Sequence, residues 1–424
     1  MKKNRKYERI VILLLLCSLV VSLLGGCGSA RETIATQTPA IKSMEDTAIV
    51  NYTLPEQYPN IMVSRLGYSG TGDKVIFVEG RKIPEEFRAI NSENGEIAYR
   101  GKIEDIVFHP ERAQYSGYID LTRLETEGTY YLECDYLGRS YDFPIKTGLY
   151  QELYEQSYQE MVEKCELRTA TIEEVLTLLL IYELHPEICT DENANDIPDI
   201  LDVTRSWIAG IDYSRIDVSK GALYAAFLGK FSYLYQKYDY AFATECVQRG
   251  STIFNQTQDI MQKSAEQFWA LTELYRATGL ATYNSRILDY KAYFKNNSHF
   301  LDEEEYLYGA MTYMVTRQKV DVELCELCMD KLLERGEEIA ERAETMLHPI
   351  DAKNNGAEDI LQCAKELSCA NYVVGSYQND CTMEDFLYYL AGENLQSLHF
   401  EPEDGQKKEY LLLLAHLADK EGKH

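Results

Sequence analysis

Positive charge is what this chain has least of. Its 424 residues hold 42 lysines and arginines against 69 aspartates and glutamates, a formal net charge of −27. Such a polyanion is repelled by a phosphate backbone, so nucleic acid is not an expected partner. The surface suits a neutral polymer or a cationic partner better. A disulfide framework is lacking as well. Of eleven cysteines, Cys17 and Cys27 belong to the N-terminal segment, and the remaining nine are odd in number and irregular in spacing, which reads as thiols rather than bridges. Cys325 and Cys328 form one C-x-x-C without a second pair or a nearby histidine. Because structural zinc needs four ligands, no metal site is expected there. Tryptophan is scarce, at two residues against 33 tyrosines. Tyrosine can stack on sugars, although in a helical protein it also fills core. No tandem repeat is visible, which argues against a solenoid.

What is present begins with an address. Lys2, Lys3, Arg5, Lys6 and Arg9 precede an apolar run from Ile10 to Leu24, which leads into Leu24-Gly25-Gly26-Cys27. This is the pattern of a secretion signal ending in a lipobox, with Cys27 the lipidated residue of the mature N-terminus. An uncleaved membrane span is disfavoured because the apolar run is short. The expectation is a bacterial lipoprotein held outside the cytoplasm on the cell membrane. Loss of the leader makes the mature chain more acidic still.

Residues 28–57, rich in Thr, Ala and Ser, read as a tether. From there to residue 147 the chain shows short alternating runs: Ile61 to Val63, Lys74 to Glu79, Phe87 to Ile90, Ile97 to Tyr99, Gly117 to Leu121 and Gly128 to Cys134. Turn signals at Ser92-Glu93-Asn94-Gly95 and Glu127-Gly128 separate some of them. About seven strands in under a hundred residues imply a β-sandwich. Over residues 148–424 the spacing changes to three and four, as in Ile172, Val175, Leu176, Leu179 and Tyr182. About twelve helical runs follow, starting near residues 148, 169, 197, 218, 239, 264, 281, 302, 321, 356, 382 and 406.

Several segments carry a resemblance. Val63-Ser64-Arg65-Leu66-Gly67-Tyr68, Gly117-Tyr118-Ile119-Asp120-Leu121, Gly128-Thr129-Tyr130-Tyr131-Leu132 and Ser140-Tyr141-Asp142-Phe143 resemble the immunoglobulin-like domain that precedes the catalytic barrel in many cellulases of glycoside hydrolase family nine. Leu178 to Glu187, Asn195 to Asp202, Ala265 to Gly279, Asn354 to Ile360 and Phe386 to Asn394 resemble successive helices of that barrel. The resemblance implies an immunoglobulin-like β-sandwich followed by an (α/α)6 barrel of six hairpins, and a β-glucan or other plant polysaccharide as partner.

It also implies a chemistry whose parts are incomplete here. Members of the family cleave β-1,4-glucans with inversion, using an aspartate from an Asp-Ala-Gly-Asp loop as base and a late glutamate as acid. Inversion needs two carboxyl groups roughly 6.5–9.5 Å apart with water between them. This chain contains no Asp-Ala-Gly-Asp. Cys165-Glu166-Leu167-Arg168-Thr169-Ala170 passes directly from the first barrel helix to the second, so no base is found. The family's segment with paired histidines and an arginine is replaced by Leu395 to Phe400. Spacing from Leu412-Leu413-Leu414 puts Glu403 where the acid would stand, although its neighbours Pro402 and Asp404 depart from the family's Asn-Glu pattern.

The acidic stretch Asn195-Asp196-Ile197-Pro198-Asp199-Ile200-Leu201-Asp202 reads as a helix start. Asn195 or Asp196 would cap, Pro198 would take an early helical position, and Asp199 would complement the helix dipole. Asp191, Asn193 and Asn195 could begin a calcium loop, but the glycine at the sixth place and the glutamate at the twelfth are missing. Three readings follow. The chain is a lipid-anchored relative that has lost its cleft and binds glycans or supports their handling. Alternatively it is a working hydrolase with a rebuilt site, using Glu403 with Asp351 or Asp359. The third reading is a structural or protein-binding module.

Overall fold

The computed structural model describes residues 59–257, 263–346, 356–394 and 399–423. The leader, Cys27, the tether and Asp351 lie outside the described residues.

The N-terminal unit forms from strands that alternate inward and outward residues. They are β1 (Ile61–Met62), β2 (Tyr68–Ser69), β3 (Val75–Gly80), β4 (Glu86–Asn91), β5 (Ile97–His109), β6 (Gln114–Asp120), β7 (Gly128–Cys134), β8 (Gly138–Arg139) and β9 (Phe143–Lys146). One sheet runs β1-β3-β6-β5 and the other β5-β4-β7-β9-β2, all antiparallel except β2 beside β9, with β8 paired to β7. Strand β5 belongs to both. Its first half pairs with β4 and its second with β6, and the register shift between Glu104 and Val107, with Asp105 at φ 51°, bends it from one sheet to the other. Such bulges turn sandwich corners. Ile76, Val78, Phe87, Ala89, Ile119, Leu132, Phe143 and Ile145 fill the space between the sheets.

The expected sandwich is therefore present. Each of its six expected runs overlaps a strand, and β2, β8 and β9 escaped because alternation cannot be seen over two to four residues. The turn at Ser92 to Gly95 is closed by Asn91, whose Oδ1 accepts from the Glu93 and Asn94 amides at 2.9 and 3.2 Å, with Gly95 at φ 71°.

The C-terminal unit alternates outer and inner helices. Outer helices are α1 (Leu149–Glu166), α3 (Asp199–Ala209), α5 (Tyr240–Thr257), the pair α7 (Ala281–Leu288) and α8 (Lys291–Asn296), α10 (Val322–Met346) and α12 (Asp380–Leu390). Inner helices are α2 (Ile172–Leu184), α4 (Gly221–Tyr235), α6 (Ala265–Thr278), α9 (Glu304–Val315), α11 (Ala357–Val374) and α13 (Lys407–Glu421). Each inner helix packs on the next, and α13 packs back on α2, so six hairpins close into a ring. Inner helices are apolar nearly all round because both flanks and the axis are covered; in α2 every residue but Glu173 is buried. Thr171 starts α2 with a capping box. Its Oγ accepts from the Glu174 amide at 3.2 Å, while the Glu174 carboxylate accepts from the Thr171 amide at 2.7 Å.

The start of α3 differs from expectation. Pro198 (φ −55°, ψ 134°) is the residue before the first helical one and provides no side-chain cap. Asn195 and Asp196 instead belong to a loop stitched by its own side chains. Asp191 accepts from the amides of Asn195 and Asp196 at 3.1 and 2.8 Å, and Asp196 sits at φ 66°. Asp199 does open the helix, and its carboxylate reaches back to the Glu192 amide at 2.8 Å.

Sandwich and barrel share a tight seam. The Arg65 amide donates to Ala391 O at 2.8 Å, Ser69 Oγ to Glu421 at 2.7 Å, and the rings of Tyr68 and Tyr388 lie 4.9 Å apart. Glu421, at the end of the last helix, also accepts from the amides of Gly148 and Tyr150 at the start of the first, at 3.1 and 3.0 Å.

Candidate functional site

The inner helices begin at one end of the ring, and there charged residues of several first turns meet Lys365 from further along α11. Lys365 of α11 is 3% exposed, and its Nζ lies 2.9 Å from Glu304 at the start of α9 and 3.9 Å from Glu409 at the start of α13. Lys408 Nζ is 3.0 Å from Glu409, and the Tyr308 hydroxyl donates to Glu304 at 2.6 Å. Across the rim, Lys220 before α4 stands 3.3 Å from Glu173 of α2. Burial pushes the Glu304 carboxyl up, but the ammonium groups of Lys365 and Lys408 outweigh it and hold the acid below its ordinary value. Burial lifts Glu173 as well, and its backbone hydrogen bond together with Lys220 brings it below the ordinary value. Lys408 is held above its usual value: burial lowers it, and the charges of Glu304 and Glu409 overcome that. Glu304 and Glu173 are thus kept ionised, so neither is poised to give a proton to a leaving group.

The rim is also where the resemblance would put its two catalytic groups, before α2 and before α13. The connection from α1 to α2 is a tight turn with Arg168 at φ 59°. The Arg168 guanidinium donates to the carbonyls of Trp207 and Ser206, at 2.7 and 2.9 Å, and so finishes the C-terminal end of α3. Glu403 is exposed. Its amide donates to Gln406 Oε1 at 3.1 Å, and its carbonyl accepts from the Gln406 and Lys407 amides that open α13. Asp359 is exposed in the first turn of α11. The structure brings neither Glu403 nor Asp359 into contact with the rim lysines.

Two depressions flank this end. One, of about 180 Å³, lies between α1 and α13 and is lined by Glu160, Glu401, Phe400, Lys164 and Tyr410 among others. Glu160 pairs with Lys407 at 3.2 Å. The second, of about 240 Å³, is lined by Arg168, Trp207, Asp212, Arg215 and Tyr224. In the Asp191 loop the Asn193 side-chain Nδ2 donates to Asp199 and Asp202, both at 3.0 Å, and the Asn195 Nδ2 to Asp202 at 2.7 Å. Among the described residues no group of three or more His, Cys, Asp or Glu side chains is disposed to hold a metal. All nine described cysteines are free thiols, including Cys325 and Cys328.

At the other end of the inner helices the ring is closed by buried polar clusters. Glu183 of α2 is bonded by both Lys230 of α4 and Arg276 of α6. Glu273 of α6 binds Arg276 at 2.6 Å and also accepts from Trp269 Nε1 at 3.2 Å and Thr312 Oγ at 2.8 Å. Burial alone would raise Glu183, but Arg276 and Lys230 hold it well below the carboxylate range. Nearby, Ser368 stands between two histidines, 3.3 Å from His185 and 3.5 Å from His416. His185 meets Asp419 at 3.0 Å, and His416 meets Asp380 at 3.1 Å. All five are buried, so the chain Asp–His–Ser–His–Asp offers no surface to a substrate.

Sequence reasoning missed the rim cluster and these closing clusters because their members are scattered along the chain. One signal was available: Lys230 is a lone charge inside an otherwise apolar helical run, where a lysine persists only with buried partners.

Sandwich, seam and ring define the class: an immunoglobulin-like domain on a six-hairpin helical barrel. Residues 56–139 match the family model of the cellulase N-terminal ig-like domain. Across both units the fold is similar to that of a metagenome-derived glycoside hydrolase family 9 endoglucanase (15% identity, 80% of this chain and 84% of that chain, TM-score 0.63) and of a family 9 protein of Bacteroides ovatus (14%, 85% and 98%, 0.63). A thermostable single-mutant endoglucanase from Alicyclobacillus acidocaldarius is similar too (17%, 80% and 83%, 0.62). No curated protein matches the chain in sequence.

Proposed function

We propose that this chain is a glycan-binding or accessory protein built on the cellulase fold, without glycosidase turnover, and tied by a lipid on Cys27 to the outer face of a bacterial membrane. The observation that carries this reading is the α1–α2 connection. It is a short turn whose one long side chain, Arg168, is spent on the carbonyls of α3. No backbone is left there to bring a base to a water, and a nucleophile without a positioned base loses most of the advantage of a site. The rim supports the same conclusion, because Glu304 and Glu173 face lysines and stay ionised.

The neighbours in structure are endoglucanases, which makes a β-glucan or related polysaccharide the first ligand to try. The test is a reducing-sugar assay of the detergent-solubilised full chain on β-glucans and xylans, run beside calorimetric binding of the same polymers. Binding without sugar release is expected. Release that Glu403→Gln abolishes would establish the rebuilt-hydrolase reading instead. For the anchor, Cys27→Ala is expected to end incorporation of labelled fatty acid and to free the protein from the membrane fraction.

A further inference from the structure

The geometry points to the depression beside Arg168 as a binding site for a carboxylate-bearing sugar, a uronic acid unit of a polysaccharide; this rests on the glycan-binding reading and narrows it. The depression has about 240 Å³ and lies at the rim, between the α1–α2 turn and the connection from α3 to α4. Two of its walls are arginines on a protein of net charge −27. Arg168 is rigid. Its backbone is left-handed, two of its N–H groups are fixed on carbonyls, and it packs so closely over Gly210 that a Cβ there would lie 2.5 Å from its Cζ. A guanidinium has five N–H donors in a fixed fork, so the others remain for a ligand. Because its geometry is already set, a bound carboxylate costs little further ordering.

Arg215 is the opposite case. Its side chain is 86% exposed and has one carboxylate near it, Asp212 at 3.1 Å, a solvent-screened pair that a ligand's carboxylate can displace. The same depression is lined by Trp207, 9% exposed and braced edge-on by Phe227 at 5.7 Å, and by the half-buried Tyr224. Indole and phenol flanked by guanidinium groups suit a ring with apolar C–H edges and one acidic substituent. The carboxylate takes the planar N–H edge in paired hydrogen bonds, and the sugar lies against the aromatics. A neutral glucan would leave the arginine edges unmatched. This refines the expectation from overall charge: the acidic surface disfavours polyanions at long range, but screening at physiological salt confines that effect to about 8 Å, and contact chemistry decides binding within the depression.

Fluorescence gives a direct readout, because the chain has two tryptophans and the other, Trp269, is 1% exposed inside the ring. The detergent-solubilised full chain is titrated with tetragalacturonate and with cellotetraose. A saturable change in tryptophan emission is expected with the acidic oligomer alone, and Trp207→Phe is expected to remove it while calorimetric binding persists. Arg215→Gln, at an exposed position that leaves the fold intact, is expected to weaken the acidic oligomer about tenfold, the loss of one charge-assisted pair. Arg168→Gln is expected to weaken it further, with the circular dichroism of Arg215→Gln as the reference for folding. The proposal is overturned if tetragalacturonate leaves the emission unchanged, or if Arg215→Gln binds it as tightly as the parent chain does. If cellotetraose or a neutral β-glucan still binds by calorimetry in that case, glycan binding stands and only this site falls. If no glycan binds at all, both fall.

Discussion

Glu393 shows how much one side chain can carry. It sits just after α12 at the seam, where the Tyr68 hydroxyl donates to its carboxyl and the Ser64 amide donates to Tyr68 at 2.9 Å. Burial, reinforced by the nearby Asp385 charge, raises its pKa to about 8 even though the bond from Tyr68 pulls it down. An unfolded glutamate titrates near 4.3. The folded state therefore binds a proton that the unfolded chain gives up, and this stabilisation is complete below the unfolded value and lost as pH rises through about 8. His185 works from the other side. Burial lowers it to about 4 against its bond with Asp419, so its contribution is present above about 6.5 and lost as pH falls toward 4. Thermal unfolding is expected to peak in mildly acidic buffer. In Glu393→Gln the decline of Tm between pH 6 and 8 should flatten while the acid limb remains; an unchanged alkaline slope would rule this carboxyl out as the cause. Both groups escaped the sequence, since a lone glutamate after Gly392 and a histidine before Pro186 carry no local mark of what will surround them.

Among elements, the helices were the most legible part, because spacing of three and four survives in every barrel run from Ile172 to Leu417. The seventh run breaks at Asp289 and Tyr290 into α7 and α8, a turn too short to interrupt the periodicity. Ends were less legible. Asn195 and Asp196 have good capping chemistry, yet the Asp191 loop uses them and Pro198 takes the place before α3. Thr171 is the cap with the clearer structural role, and Thr171→Ala is expected to cost about 1 kcal/mol in denaturant unfolding. The cluster of Glu183, Lys230, Glu273 and Arg276 joins α2, α4 and α6 where no sequence motif announces it. Arg276→Met leaves two buried carboxylates with Lys230 as their one cation and should cost about 3–5 kcal/mol, whereas an exposed pair such as Arg249 with Glu245 should move stability by under about 1 kcal/mol when broken. Equal effects for the two would show that the cluster is not what joins these helices.

Across the whole molecule, the seam between sandwich and barrel outweighs the division that composition suggests. Tyr68 and Ser69 reach into the barrel, and the Tyr388 ring that Tyr68 meets is held from behind: Tyr388 bonds Tyr150 at 2.6 Å, and Glu384 takes the Tyr150 hydroxyl at 3.1 Å and Lys420 at 2.6 Å. Calorimetry is expected to give one transition for the folded chain, and Tyr68→Ala to split or broaden it. Two separate transitions in the parent protein would mean that the seam does not couple the units. The sandwich, the six-hairpin ring and the short connection from α1 to α2 were all readable from residues in order. The rim was not, because Glu173, Glu304, Lys365 and Glu409 come together only once the ring has closed.

That closure has a consequence for the life of the chain. The amides of Gly148 and Tyr150 that open α1 are satisfied by the carboxylate of Glu421, 273 and 271 residues further along the chain. Those first-turn groups find their acceptor only after the last helix of the ring has been made, so α1 is finished late, by a residue of α13.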